Sequence, residues 1–255
     1  MNRKRTLKAF ADYVRNYDSS DAKIYLKIEH TYKVAGLCET IGRSLGLSGD
    51  ALDAAWLCGM LHDIGRFEQI RRYGTFEDAK SVDHAKLSTE ILFADEKRVF
   101  REFTDLEGYD DIVYTAIFLH SAYRVPEETD ERTKMYCHIL RDADKLDIFR
   151  VNLETPLEQI YNVTTEELYH CEVTPEVMQA FAEHHAVVRS LKKTPVDHVV
   201  GHICLAYELV WPISRRLVKE QGYLRTLMAF ESGNPAAREQ FGYIREEMNR
   251  YLGER

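Results

Sequence analysis

Apolar residues recur at intervals of three and four along most of this 255-residue chain. Between Ile28 and Leu45, for example, Val34, Cys38 and Ile41 share one face of a helix. Such spacing is typical of amphipathic helices, whereas a half-buried strand would alternate apolar and polar residues, a pattern that the chain does not show convincingly. The sequence therefore predicts an all-α fold.

Glycine and proline residues divide this pattern into separate helices. Helices are predicted at Ile28–Leu45, Ala51–Leu61, His84–Phe93, Asp95–Thr104, Asp110–Leu119, Thr133–Phe149, Pro175–Lys192, Val196–Gln221 and Pro235–Leu252. Loops are predicted at residues 66–82, 121–132 and about 152–173, and Pro212 is expected to kink its helix. We interpret the chain as a single all-helical domain, residues 1–255, with a core at about 25–150 and a C-terminal helical extension at about 175–252.

Composition and charge narrow the class of protein. Apolar residues make up 45% of the chain, enough to bury a core, and the formal charge of −8 argues against binding long nucleic acids. The five cysteines form no Cys-x-x-Cys pair, which favours unpaired thiols in a reducing compartment. No apolar run reaches membrane-spanning length. We expect a cytoplasmic protein without a membrane partner, and a homodimer stays open.

Six polar residues adjoin apolar helical stretches, at positions where they can point toward hydrophobic surface. They are His30, His62, Asp63, His84, His120 and Asp144. A lone histidine near a helix end is more often a hydrogen-bonded core residue, so the prediction depends on the whole set. Buried imidazoles and carboxylates need partners, and a divalent metal would satisfy several of them at once.

The ligand types suit Fe, Mn, Zn, Co or Ni, and Mg also stays open. Four histidines and two aspartates are more ligands than one tetrahedral ion needs. We therefore expect two metal ions bridged by Asp63, with open positions for water and substrate.

Three segments of the chain resemble the HD-domain superfamily of metal-dependent phosphohydrolases. They read EHTYKVA at residues 29–35, GMLHDIGR at 59–66 and DADKLD at 142–147. The order His, His-Asp, Asp is the signature of that family, and the resemblance spans about residues 25–150. It implies a helical HD fold in which His30, His62, Asp63 and Asp144 bind metal.

His84 and His120 resemble the two extra histidines of the dinuclear branch of that superfamily. This branch includes cyclic-di-GMP phosphodiesterases of the HD-GYP type, symmetrical dinucleoside-tetraphosphate hydrolases and di-iron oxygenases related to inositol oxygenase. The chain reads SAYRVP after His120, where the HD-GYP pattern has a second histidine, a glutamate and Gly-Tyr-Pro. This departure argues against cyclic di-GMP as the substrate.

The resemblance implies a hydrolase that cleaves a phosphoester or phosphoanhydride with metal-activated water, acting on a nucleotide or a related small phosphorylated molecule. Asp63 would be the catalytic ligand, and Arg66, Lys145 and Arg124 are candidate contacts for the substrate phosphate. Two alternatives stay open. One is a di-iron oxygenase on the same scaffold, and the other is a non-enzymatic sensor of metal or nucleotide.

Overall fold

A computed structural model describes residues 1–156 and 163–253 of the chain. Most of these residues are helical and none of them lies in a strand, which confirms the all-α prediction. The helices are α1 Arg3–Val14, α2 Ala22–Ser44, α3 Gly49–Leu61, α4 Ile64–Tyr73, α5 His84–Phe103, α6 Asp110–Leu119, α7 Glu131–Glu154, α8 Thr165–His170, α9 Pro175–Ala182, α10 Pro195–Ile203, α11 Pro212–Gln221, α12 Tyr223–Met228 and α13 Pro235–Leu252. Short 3-10 helices lie at Asp78–Lys80, Arg189–Leu191 and Cys204–Glu208.

The chain divides into two compact units, Met1–Asp144 and a second that begins at Lys145. In the first unit, α2 packs along α3, and their backbones nearly touch at Gly59. A Cβ atom at Gly59 would lie 2.6 Å from the Cα atom of Ala35 on α2. This contact places the end of α3 beside the middle of α2. The interpretation of the whole chain as one domain stays a prediction.

The loop predicted at residues 66–82 was wrong for its first part, because helix α4 extends to Tyr73. Ile64, Phe67 and Ile70 are buried, and their three-residue spacing puts them on one face of a helix. The polar residues between them pair with one another, since buried Glu68 binds the two arginines of the last turn. Gly74, with φ of 65°, ends the helix. The irregular segment therefore begins at Gly74.

Other elements of the first unit agree more closely with the prediction. Helices α3 and α6 end at the predicted residues Leu61 and Leu119. Backbone angles leave the helical range at 94–97 within α5, so the predicted break near Asp95 is present. Helix α1 was not predicted, and its buried Phe10 packs edge-on against the rings of Tyr32 and Phe67.

In the second unit, two long helices predicted from the sequence are each interrupted. Helix α9 stops at Ala182, just before His184 with its φ of 59°, and not at Lys192. Pro212 begins α11 as its first residue, so it starts a helix and does not kink one. The predicted irregular stretch 152–173 contains α8, and its residues 157–162 lie outside the described residues. No described helix combines the length and apolar character needed to cross a bilayer.

Candidate metal centre

The six predicted residues lie together in the first unit, where the ends of several helices meet. Five of them are at most 5% exposed, and the side chain of Asp144 is 15% exposed. Their positions are His30 on α2, His62 and Asp63 at the junction of α3 and α4, His84 at the start of α5, His120 at the end of α6, and Asp144 on α7. The cluster is therefore buried except near Asp144.

The two carboxylate oxygens of Asp63 face different pairs of histidines. Oδ2 lies 3.7 Å from His30 Nε2 and 3.5 Å from His62 Nε2. Oδ1 lies 3.7 Å from the Nε2 atoms of both His84 and His120. We call His30, His62 and Asp144 the first half of the cluster, and His84 with His120 the second half. Asp63 is shared between the two halves.

Within each half the ligand atoms approach one another closely. The Nε2 atoms of His30 and His62 are 3.3 Å apart, and those of His84 and His120 are 3.0 Å apart. Asp144 Oδ1 adds a carboxylate to the first half, 3.1 Å from His30 Nε2. Together with the shared Asp63 carboxylate, each half thus gathers nitrogen and oxygen atoms around a small space.

Hydrogen bonds at Nδ1 fix the tautomer of three of these histidines. His62 and His120 donate from Nδ1 to backbone carbonyl oxygens three residues earlier, at 2.8 and 2.6 Å. His84 donates from Nδ1 to Asp78 Oδ2 at 2.6 Å. Because carbonyl and carboxylate oxygens only accept, each neutral imidazole keeps its lone pair on Nε2, which points into the cluster.

The protonation states of the cluster residues also favour metal binding. Burial lowers the pKa of His84 and of His120 to about 4, and burial also lowers the pKa of His62. Burial alone would raise the pKa of Asp63, but Lys27 and the neighbouring histidines hold that pKa well below its usual value. At neutral pH His62, His84 and His120 are therefore neutral and Asp63 is ionised, the forms that bind metal.

These residues fit divalent metal ions. Facing lone pairs on two Nε2 atoms 3.0 Å apart repel each other, and a cation bound near them would remove that repulsion. His30, His62, Asp144 and Asp63 Oδ2 could hold one ion. His84, His120 and Asp63 Oδ1 could contribute to a second.

Three further residues beside the cluster were missed by the sequence analysis. Lys27 Nζ lies 2.7 Å from Asp63 Oδ2, and its place three residues before His30 on α2 was a signal that could have identified it. Asp78 binds His84 from the segment after α4. Gln69, which is fully buried on α4, binds Asp78 in turn.

The structure places the three candidate phosphate contacts differently. Arg66 lies at the cluster, with its Nε atom 3.7 Å from Asp63 Oδ1, buried and without a hydrogen-bond partner among the described residues. Arg124 is exposed between α6 and α7, where its guanidinium lies 5.5 Å from the centre of the Tyr123 ring. Lys145 is buried on α7 and belongs to the second unit. Their role in binding substrate stays a prediction.

Comparison with known proteins agrees with the geometry of the cluster. A family model described as the HD domain matches residues 28–148, a span that contains all six residues. This chain carries an HD domain. The HD domain begins within α2 and ends within α7, which confirms the family predicted from the motifs.

Similarity to a characterised protein is confined to a short stretch. Over 46 residues the chain is 41% identical to 3'3'-cGAMP-specific phosphodiesterase 1 of Vibrio cholerae, a match that covers 18% of this chain and 11% of that protein. No solved structure matches the chain significantly. The comparisons therefore identify the HD domain and leave the substrate open.

Proposed function

We propose that the protein is a phosphohydrolase that uses two divalent metal ions to cleave a phosphoester or phosphoanhydride of a small phosphorylated molecule. The observation that supports this most strongly is the position of Asp63, whose two oxygens each face a separate pair of histidine nitrogens. A carboxylate shared in this way suits a bridging ligand of a dinuclear centre.

Divalent ions in such a centre lower the pKa of bound water and offset charge that develops on a phosphoryl group. The protein's own residues prepare for this chemistry. Neutral His62, His84 and His120 direct their lone pairs inward, because their Nδ1 protons are already bonded. The anionic Asp63 is held by Lys27 at 2.7 Å. The ligands are thus in place before any ion binds, which limits reorganisation.

Two cations beside Asp63 support an anionic substrate. Arg66 directs a buried Nε atom, which has no hydrogen-bond partner among the described residues, toward the side of Asp63 that faces the second half. Leaving a buried donor unsatisfied costs free energy, and a phosphate oxygen would satisfy it. Lys27 lies on the other oxygen of the same carboxylate. We infer that the phosphate binds near these two side chains.

The substrate class that we favour is a nucleotide. The Vibrio cholerae protein is named for a cyclic dinucleotide, which is a phosphodiester. The match to it is short, and the residues after His120 differ from the HD-GYP pattern. We therefore propose a nucleotide-type phosphoester or phosphoanhydride without choosing among cyclic dinucleotides, dinucleoside polyphosphates and mononucleotides.

The test is turnover by the purified protein loaded with Mn²⁺ or Fe²⁺. Cyclic dinucleotides, dinucleoside polyphosphates, nucleoside monophosphates and triphosphates form the panel, and release of phosphate or nucleotide is measured. Asp63→Asn should reduce turnover more than about 100-fold, since losing outer partners of metal ligands alone costs 10- to 100-fold. Asp111→Asn, on an exposed position of α6, is the matched control and should retain activity.

A wild-type protein that binds metal yet turns over no member of the panel would contradict the proposal. Oxygen uptake by the iron-loaded protein in place of hydrolysis would support the oxygenase alternative. Tight nucleotide binding with neither reaction would support a sensor.

A further inference from the structure

We propose that Asp78 is a positioning residue for the second half of the cluster, where it orients His84, and that Arg66 and Gln69 hold Asp78 in place. This inference deepens the proposed function, because it concerns how one half of the same centre is built. Asp78 itself faces the outer nitrogen of His84 and not the shared space of the cluster.

Both oxygens of Asp78 have defined partners. Oδ2 accepts the Nδ1 proton of His84 at 2.6 Å. Oδ1 accepts from Arg66 Nη1 at 2.9 Å and from Gln69 Nε2 at 3.0 Å. Hydrogen bonds to a carboxylate are shorter and stronger than those between neutral groups, so the imidazole of His84 is restrained in both position and tautomer.

The Gln69 side chain anchors the segment that carries Asp78. Its Nε2 atom also lies within hydrogen-bond distance of Ser81 Oγ at 2.8 Å and the Val82 carbonyl oxygen at 3.0 Å, while its Oε1 accepts from Arg66 Nη1 at 2.7 Å. Gln69 is fully buried on α4. A buried amide with all its atoms engaged favours one orientation, because any other would leave polar atoms unsatisfied.

Arg66 connects this anchor to the shared carboxylate. The two protons of its Nη1 atom are shared among Asp78 Oδ1, Gln69 Oε1 and the Phe76 carbonyl oxygen at 2.7 Å. The Phe76 ring centre lies 5.5 Å from the guanidinium. Its Nε atom faces Asp63. One guanidinium therefore contacts the residue that orients His84 and the carboxylate that His84 faces.

The orientation of His84 depends on a side chain in a way that those of His62 and His120 do not. Those two histidines donate from Nδ1 to backbone carbonyls of their own helices, which no substitution removes. His84 donates to a side chain. Outer partners of this kind fix the tautomer of a ligating histidine and raise its basicity, and losing one costs 10- to 100-fold in metal affinity. The second half can thus be weakened without altering any of the six cluster residues.

The experiment compares Asp78→Asn with Lys80→Ala in the whole 255-residue chain. Asp78→Asn keeps the side-chain shape and removes the charge, whereas Lys80→Ala removes an exposed ion pair with Glu77 in the same segment without touching His84 or Gln69. Binding of Mn²⁺ is titrated to give the number of ions and their affinities. The tautomer of His84 is read in the metal-free protein from its ring ¹⁵N chemical shifts.

We expect Asp78→Asn to weaken binding of the second ion by about 10- to 100-fold, to leave the first ion unchanged and to produce mixed tautomers of His84. Lys80→Ala should keep both affinities within about twofold of wild type, well below that 10- to 100-fold loss.

Unchanged second-ion affinity in Asp78→Asn would overturn the proposal, and so would an equal loss of both ions or an equal loss in Lys80→Ala. A wild-type protein that binds one ion would overturn it too. If two ions bind as expected but no phosphorylated substrate is cleaved, the proposed reaction fails while the role of Asp78 stands.

Discussion

Replacing Gly65 with alanine tests how the second half of the cluster is assembled. Gly65 is the second residue of α4 and lies against the first turns of α5. An added Cβ would lie 2.7 Å from the Ser88 amide nitrogen and 2.8 Å from the His84 carbonyl oxygen. Ordinary contacts begin at 3.4 Å, so α4 and α5 must separate by about 0.7 Å. Both contacted atoms belong to the backbone, and a side-chain rotation cannot relieve the clash.

The expected cost follows from two effects. Overpacking of this kind costs about 1–3 kcal/mol. The separation also weakens the hydrogen bond from the Gly65 amide to Ser88 Oγ, at 2.9 Å, which is worth about 1 kcal/mol. We therefore expect Gly65→Ala to lower the free energy of unfolding by about 2–4 kcal/mol. His84 moves with α5, and a shift of about 0.7 Å exceeds the tolerance of about 0.2 Å in metal–ligand distances.

The assay is urea unfolding of the metal-free protein together with metal analysis of the loaded protein. Gly36→Ala is the matched control, because Gly36 is exposed on α2 and a Cβ there would meet nothing within 4 Å. That substitution should stabilise the protein by about 0.5–1 kcal/mol through helix propensity. If Gly65→Ala matched Gly36→Ala in stability and bound two ions per chain, the argument from close backbone packing would be refuted.

Three further predictions concern charge. Lys27→Met should destabilise the metal-free protein by about 3 kcal/mol, because it removes the nearer of the two cations beside the buried Asp63 carboxylate. Thermal melts with and without Mn²⁺ should show a smaller loss when metal is present, and an equal loss in both melts would argue against the reasoning. Arg141→Met should lower the free energy of unfolding by about 2–4 kcal/mol and weaken binding of the second ion, because the buried guanidinium donates to carbonyl oxygens at the end of α6, including that of His120. Arg141→Lys should recover part of the stability and part of the affinity. Finally, the folded-state pKa values of His84 and His120, about 4, lie below the unfolded value of 6.5. The unfolded chain therefore binds more protons between these values. The free energy of unfolding of the metal-free protein, measured by urea titration, should fall as pH drops from 6.5 to about 4, by up to about 3 kcal/mol for each histidine. A flat pH profile across this range would contradict the assignment of both imidazoles as neutral.

The parts of the fold that the sequence predicted well are those with strong local signals. Helix α13 begins at Pro235 after Asn234, whose side chain accepts hydrogen bonds from the first turn, as the Asn-Pro pair predicts. Helix α3 is apolar on nearly every side and is buried as expected. The six cluster residues were recognisable for a related reason, since each is polar next to an apolar helical stretch and together they follow a known order.

The parts that the sequence did not predict depend on contacts between distant or polar residues. The sequence did not predict helix α4, because its polar residues suggested a solvent-exposed loop. In the structure such residues, for example Glu68, form ion pairs with neighbouring side chains and not hydrogen bonds with water. The contact between Gln69 and Asp78 exists only because the segment after Gly74 folds back on α4. No spacing rule relates a glutamine on a helix to an aspartate in a loop, so this part of the site required the structure.

The cluster is assembled from two close helix contacts that meet at one short junction. Gly59 brings α3 against α2, which positions His30 and His62, and Gly65 brings α4 against α5, which positions His84. His62 and Asp63 are the two residues between α3 and α4, so the shared carboxylate lies where the two contacts join. Each contact involves its own pair of helices. A substitution at Gly59 therefore acts mainly on the first half, and a substitution at Gly65 acts mainly on the second half. The spacing of these two glycines around His-Asp is therefore part of how the chain builds a shared carboxylate, and not only a condition for packing.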